Sequence, residues 1–297
     1  MLSKSQRLRE LISAPQILVM PGIYDGYSAR LVAGSGFAAG FITGAGVSEA
    51  SLGWADVGVM SYEENLRVCR AIVGCFDLPT IADADTGYGN AVNVHFTVRG
   101  FEQAGVSGVM IEDQVWPKRC GHMRGKAVVT TEEAVARIAA AAAARRDPQF
   151  VLMARTDTLA THGLGEVIRR LNLFAEAGAD LLFADALLSV EEIRSVVREV
   201  PKPLTVNMGF GIRQRSTTPL LSAAQLQELG VAVVIYPRLL TAAAVEGMNK
   251  AIGALQQMLA SGEVVDRPDL LVSFEQLNEL LGIGELQSLE RRFASRA

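Results

Sequence analysis

Eight short apolar runs, each followed by a stretch of helical periodicity, leave few folds open to this chain. The runs cover 17–20, 37–43, 79–83, 108–112, 150–155, 180–184, 203–207 and 231–236. The helical patterns that follow them cover 26–35, 61–76, 92–104, 131–146, 164–177, 190–199, 222–229 and 239–260. Within each run the apolar residues are nearly continuous rather than alternating, as in strands covered on both faces. Strand–helix repetition gives parallel sheets, and eight units predict an α/β fold of the (β/α)8 TIM-barrel type. The competing architecture is an open doubly wound sheet. No Gly-x-Gly-x-x-Gly follows the first run to support it, and Gly44-Ala45-Gly46 is too sparse a cluster.

An amphipathic helix is predicted over 5–13, before the first run, and two more helical patterns follow the eighth unit at 273–281 and 285–295. The expectation is one barrel domain over 1–297, with 261–297 as a C-terminal helical extension. At 297 residues the chain suits a barrel, which often needs about 250. Leu and Phe on the extension predict packing against a neighbouring subunit. The net charge of −4 gives no basic footprint for nucleic acid. No apolar run approaches the roughly 18 residues that span a bilayer, and the N-terminus lacks a signal core. Cys69, Cys75 and Cys120 have no metal-type spacing, and so few thiols fit a reducing, cytoplasmic setting.

A barrel of this kind carries its chemistry at the C-terminal ends of the strands. Read there, the sequence offers Asp25, Thr43, Asp83, Asp85, Tyr88, Glu112, Arg155, Asp185, Asn207, Tyr236 and Arg238. Asp83, Asp85 and Glu112 are the oxygen donors a hard cation such as Mg2+ takes, one or two directly and the rest through water. Arg155 can hold a carboxylate through a bidentate fork, or pair with one of the acids. Tyr88 reads equally as a phenolic acid/base or as a packing residue. After the fourth strand comes Pro117-Lys118-Arg119-Cys120-Gly121-His122-Met123-Arg124-Gly125-Lys126, with four cations around one thiol. A positive field favours the thiolate, and two glycines let the segment bend. We read it as a mobile loop in which Cys120 moves a proton and His122 adjusts the thiol or contacts substrate.

With these residues the chain resembles the isocitrate lyase/phosphoenolpyruvate mutase superfamily, in its branch of short lyases. The matching segments are Asp83-Ala84-Asp85-Thr86-Gly87-Tyr88-Gly89, Glu112-Asp113-Gln114, Lys118-Arg119-Cys120-Gly121-His122 and Ala154-Arg155-Thr156-Asp157, with Ser51-Leu52-Gly53 and Asp56. The resemblance implies a Mg2+-dependent carbon–carbon lyase, with Mn2+ as an alternative ion. Its substrate would be a small 2-hydroxy carboxylate like 2-methylisocitrate or dimethylmalate, cleaved to pyruvate or another 2-oxo acid and a succinate-like carboxylate. It implies Cys120 as proton donor and Asp56, Asp83, Asp85 and Glu112 around the metal. Thr43, Gly44 and Ala45 would hold the 2-oxo acid, with Gly121, Asp185 and Asn207 also on the substrate. Tyr88, Asp56 and water remain open as the base. The implied assembly is a homotetramer with exchanged C-terminal helices. Oxaloacetate hydrolysis and carboxyphosphonoenolpyruvate mutation are the alternatives within the superfamily. Three positions depart from the lyase pattern. Asp185 stands where Glu is usual, Asn207 is not followed by Glu, and Ala242 stands where methylisocitrate lyases use Arg.

Overall fold

The computed structural model describes residues 2–121, 123–213 and 218–294. In chain order the elements are α1 (Lys4–Ser13), β1 (Leu18–Ile23), α2 (Gly26–Gly34), β2 (Gly40–Ile42), α3 (Gly44–Leu52), α4 (Tyr62–Gly74) and β3 (Thr80–Asp83). There follow α5 (Ala91–Ala104), β4 (Gly108–Glu112), α6 (Thr131–Ala144), β5 (Val151–Thr156), α7 (Leu159–His162), α8 (Leu164–Glu176) and β6 (Leu181–Ala184). The last are α9 (Val190–Glu199), β7 (Leu204–Asn207), α10 (Ala223–Glu228), β8 (Val233–Tyr236), α11 (Leu239–Ser261), α12 (Phe274–Leu280) and α13 (Ile283–Phe293).

The eight strands close in sequence order into one parallel barrel, β8 pairing back onto β1. Full burial of both strand faces explains the continuous apolar runs. Met20, Phe41, Ile81, Met110, Met153, Phe183 and Ile235 fill the interior together with Leu8 and Ile12 of α1. A fully buried Phe such as Phe183 contributes about 1.5–3 kcal/mol. Arg9 fixes α1 at the N-terminal ends of β5 and β6. It donates to the carbonyls of Gln149 and Phe150 at 2.8 and 3.2 Å and pairs with Asp180 at 2.9 Å. The opposite end of the barrel is thereby left for the polar strand ends.

Two local differences from the sequence reading have physical causes. The strand expected over 37–43 is only Gly40–Ile42, because Phe37 and Ala38 are exposed ahead of the barrel wall. What reads as a glycine loop is α3, a helix. Thr43 caps it by accepting from the Gly46 N–H at 3.3 Å, and Gly53 closes it at φ 71°. Its buried side is Gly44, Gly46, Val47 and Ser48, so it carries no apolar period to detect. By contrast, the Ser61–Glu64 capping box expected at the start of α4 is present, with the Ser61 N–H donating to Glu64 at 2.7 Å.

The chain divides into two compact units, up to Leu239 and from Leu240 onward. The second contains most of α11, then α12 and α13. Along α11, Val245, Met248, Ile252, Leu255 and Leu259 are exposed at alternating three- and four-residue steps. Among the described residues no helix is long and apolar enough to cross a membrane.

Candidate active site

Four apolar side chains, Phe41, Met110, Phe183 and Ile235, end the barrel core and form the floor of a cavity of about 40 Å3. Its walls include Thr43, Ala45, Asp56, Asp83, Lys118, Cys120, Gly121, Arg155, Asp185, Asn207 and Arg238. Ten of the residues singled out from the sequence therefore meet in one place. Gly44, Asp85 and Glu112 stand behind this wall, as does Tyr88. His122 lies outside the described residues.

Asp83 ends β3 and is anchored from two sides. Its Oδ1 accepts the Asp85 N–H at 3.0 Å, and its Oδ2 accepts the Gly44 N–H at 3.3 Å. A Cβ on Gly44 would crowd that carboxylate, which explains a glycine at the start of α3. Asp85, Tyr88 and Ala186 hold positive φ values of 50°, 60° and 60° without being glycine. Strained backbone of this kind gathers at functional sites. Tyr88 turns away from the cavity. Asn65, fully buried, donates to its hydroxyl at 2.8 Å, and its ring packs edge-on to Tyr62 and against Trp116. Burial, reinforced by Asp85, pushes its phenol well above the ordinary value.

Glu112 ends β4 in register with Arg155 of β5. Its Oε2 lies 3.3 Å from Arg155 Nε, whereas its buried Oε1 has no hydrogen-bond partner among the described residues. Arg155 itself forks onto Asp157 at 2.8 and 2.9 Å and approaches Asp185 at 3.4 Å. Its guanidinium also lies over the Phe183 ring. The two readings of Arg155 thus coincide in space: it pairs with acids and still reaches the cavity wall.

The cysteine loop is packed down over this floor. Cys120, half-buried, donates its N–H to the Asp56 carbonyl at 3.0 Å. A Cβ on Gly121 would overlap Asp185 Oδ2 and Arg155 Nη2, so only glycine allows the loop this close. Lys118, at one end, is paired with Asp85 at 2.9 Å and with Asp56. Lys126, at the other, bridges Asp157 at 2.7 Å and Asp185 at 3.0 Å. Burial alone would lower both ammonium pKa values; the carboxylates outweigh it and raise them. Gln114 fastens the base of the loop by exchanging two hydrogen bonds with the Arg119 backbone, at 2.9 and 3.0 Å. Lys118, Lys126, Gln114 and Asn65 were not among the sequence candidates. In the sequence Lys118 and Lys126 are visible only as members of a cationic run, and nothing there pairs them with acids that follow other strands.

The acids form an electrostatically expensive group. Burial, followed by Asp83 and Asp56, pushes the Asp85 carboxyl up to about 7 against the pull of Lys118. Burial likewise raises Asp83, and raises Glu112 well above the carboxylate range. Among the described residues no three His, Cys, Asp or Glu side chains converge as a ready cage for a metal. Mg2+ does not require one, since it takes one or two carboxylates and keeps waters or substrate oxygens. An orphaned Glu112 oxygen among raised carboxylates fits such an ion.

A family described as phosphoenolpyruvate phosphomutase matches residues 8–256. The 2,3-dimethylmalate lyase of Eubacterium barkeri is 38% identical, over 99% of this chain and 99% of its own length. An oxaloacetate acetylhydrolase structure, in complex with the inhibitor 3,3-difluorooxalacetate, superposes with a TM-score of 0.90 at 31% identity. It covers 99% of this chain and 98% of its own. A phosphonopyruvate hydrolase in complex with oxalate and Mg2+ superposes with a TM-score of 0.85 at 30% identity, covering 98% of this chain and 99% of its own.

Proposed function

Since the chain belongs to the phosphoenolpyruvate mutase/isocitrate lyase superfamily and is an enzyme of its carbon–carbon lyase kind, we propose that it cleaves a 2-hydroxy di- or tricarboxylate like dimethylmalate or 2-methylisocitrate. The products are a 2-oxo acid such as pyruvate and a second carboxylate. The observation that carries this reading is the placement of Cys120 and Arg155 on the walls of one small cavity, over an apolar floor.

The cleavage needs a base for the hydroxyl proton, positive charge for the oxygen that becomes a carbonyl, and an acid for the carbon that takes the bonding electrons. Asp56 lines the cavity and Tyr88 does not, which favours Asp56 as the acceptor of the hydroxyl proton. As the carbon–carbon bond breaks, its electron pair passes to the carbon next to the departing carboxylate, and the Cys120 thiol gives that carbon its proton. Arg155, held by Asp157 and Asp185 before substrate arrives, supplies fixed positive charge that needs no reorganisation. Thr43, Gly44 and Ala45, at the start of α3, orient the 2-oxo acid carboxylate, while Gly121, Asp185 and Asn207 shape the cavity around it. Asp83, Asp85, Glu112 and Asp56 are the residues that would hold Mg2+, or Mn2+ in its place. When bound, the ion supplies Lewis acidity to the substrate oxygens.

The test is an assay with Mg2+ against 2,3-dimethylmalate, 2-methylisocitrate, isocitrate, citramalate and oxaloacetate, with every product read by mass. A 2-oxo acid with a second carboxylate is expected. Oxalate with acetate, from oxaloacetate alone, would replace this reading with a hydrolase, and phosphonate turnover with a mutase. Cys120→Ser is expected to lower turnover about 10²–10⁴-fold while substrate still binds; full turnover in that variant removes Cys120 as the acid. We also read the protein as a cytoplasmic homotetramer. The exposed apolar stripe of α11 supports assembly, and light scattering on the purified protein checks it.

A further inference from the structure

The turn that follows β3 has a conformation its own residues do not favour. Asp85, Gly87 and Tyr88 hold positive φ values of 50°, 82° and 60°, and only one of the three is glycine. Such backbone persists where its surroundings over-determine it. The acids on it are wired to one another through the main chain. The Asp85 N–H donates to Asp83 Oδ1, and the Glu112 N–H donates to the Asp85 carbonyl at 2.9 Å. A shift of this turn therefore moves three carboxylates together. Two helices hold it from outside. Thr97 of α5 donates to the Gly87 carbonyl at 3.0 Å, in the middle of the turn. Asn65 of α4, fully buried, donates to the Asp83 carbonyl and to the Tyr88 hydroxyl, each at 2.8 Å, and so spans the turn from end to end. The orientation of that amide is fixed. A carbonyl only accepts, so the NH2 group faces Asp83. The buried Cys69 thiol, one helical turn along α4, donates to the Asn65 oxygen at 3.4 Å, and burial raises its pKa so that it stays a donor.

We propose that Asn65 is a positioning residue for the metal carboxylates: it clamps the turn over 83–88 at both ends and so sets Asp83, Asp85 and Glu112 in the arrangement that takes Mg2+. The inference rests on the metal-dependent reading of the site. Asn65 does not line the cavity, so it acts on the ion through the acids in front of it. An amide suits this place because it supplies two donors without charge. Asp would set an acceptor against the Asp83 carbonyl, and Ser has a single donor.

Calorimetric titration of the purified protein with Mg2+ tests this. Asn65→Leu, which keeps similar bulk without the amide, is expected to weaken Mg2+ about 10- to 100-fold, as the loss of a partner behind metal ligands does. Tyr88→Phe, which removes one acceptor and keeps the ring, is expected to weaken it about 3- to 10-fold. A role in folding alone would lower the fraction of sites titrated and leave their affinity as it was. Ser107→Ala is the control. Ser107 accepts the Thr80 N–H at 3.2 Å, at the other end of β3, and its loss should lower the melting temperature with the Mg2+ dissociation constant unchanged. Should Asn65→Leu not fold, Tyr88→Phe decides alone. Wild-type Mg2+ affinity in the deciding variant, or an equal loss of affinity in Ser107→Ala, overturns the assignment. A wild-type protein that takes up no Mg2+ fails the metal reading itself, and the assignment with it.

Discussion

Glu112 and Asp113 are neighbours at the end of β4, both acidic and both buried, and the protein treats them in opposite ways. Asp113 is satisfied from three directions. Thr156 Oγ1 donates to it at 2.6 Å, the Asp157 N–H at 2.9 Å and Arg170 Nη1 at 3.0 Å. Arg170 in turn donates to Glu166 and to the Val129 carbonyl, so the network ties β4, β5, α8 and the return of the cysteine loop together. Glu112 has one long contact to Arg155 and an oxygen with no partner among the described residues. Buried polar groups are ordinarily paired, so the incomplete one of two adjacent acids is the one kept for a ligand. The difference separates an acid that holds the barrel from an acid that serves the cavity.

The sharpest way to break that comparison is to remove each acid in turn. Asp113→Ala leaves Arg170 with Glu166 alone and strips the Asp157 N–H of its acceptor, and is expected to cost about 1–3 kcal/mol in urea unfolding. Glu112→Gln should leave unfolding within about 1 kcal/mol of the wild type while weakening Mg2+ about 10–100-fold by calorimetry. Equal stability losses in the two variants would erase the distinction. Gly121→Ala tests the cavity side alone. The added methyl displaces the loop from Arg155 and Asp185, and kcat should fall about 10²-fold while the melting temperature stays put.

A smaller effect is expected in the pH dependence of the metal-free protein. The folded state raises Asp85, mainly by burial, to about 7, above its unfolded value, so the folded chain binds more protons between those limits. Stability should therefore decline as pH rises through that window, in urea melts. Saturating Mg2+ should flatten the decline, because a cation favours the ionised carboxylates. A decline unaffected by Mg2+ would place the ion elsewhere.

Much of this was legible in the residues. Continuous apolar runs at regular spacing require two-sided burial, which eight units satisfy by closing a barrel. The acids and Arg155 could be placed because a barrel puts strand ends together, whatever their separation in sequence. What the sequence hid were relations rather than residues. Nothing local distinguishes Asp113 from Glu112, since the difference lies in Arg170 and Thr156, on other elements. The sequence conceals helix α3 because its buried side is small residues, and leaves Tyr88 ambiguous because only Asn65 and its ring neighbours reveal which way it faces.

The loop's two lysines have a consequence for traffic through the site. Lys118 and Lys126 lie on four carboxylates while the loop is down. Lifting the loop carries both positive charges away and leaves the mouth of the barrel strongly acidic. The door is thus also the counterion: the same movement that gives products an exit reverses the sign of the place they are leaving, and two carboxylate products are repelled outward. Release should accordingly slow in high salt, where that repulsion is screened.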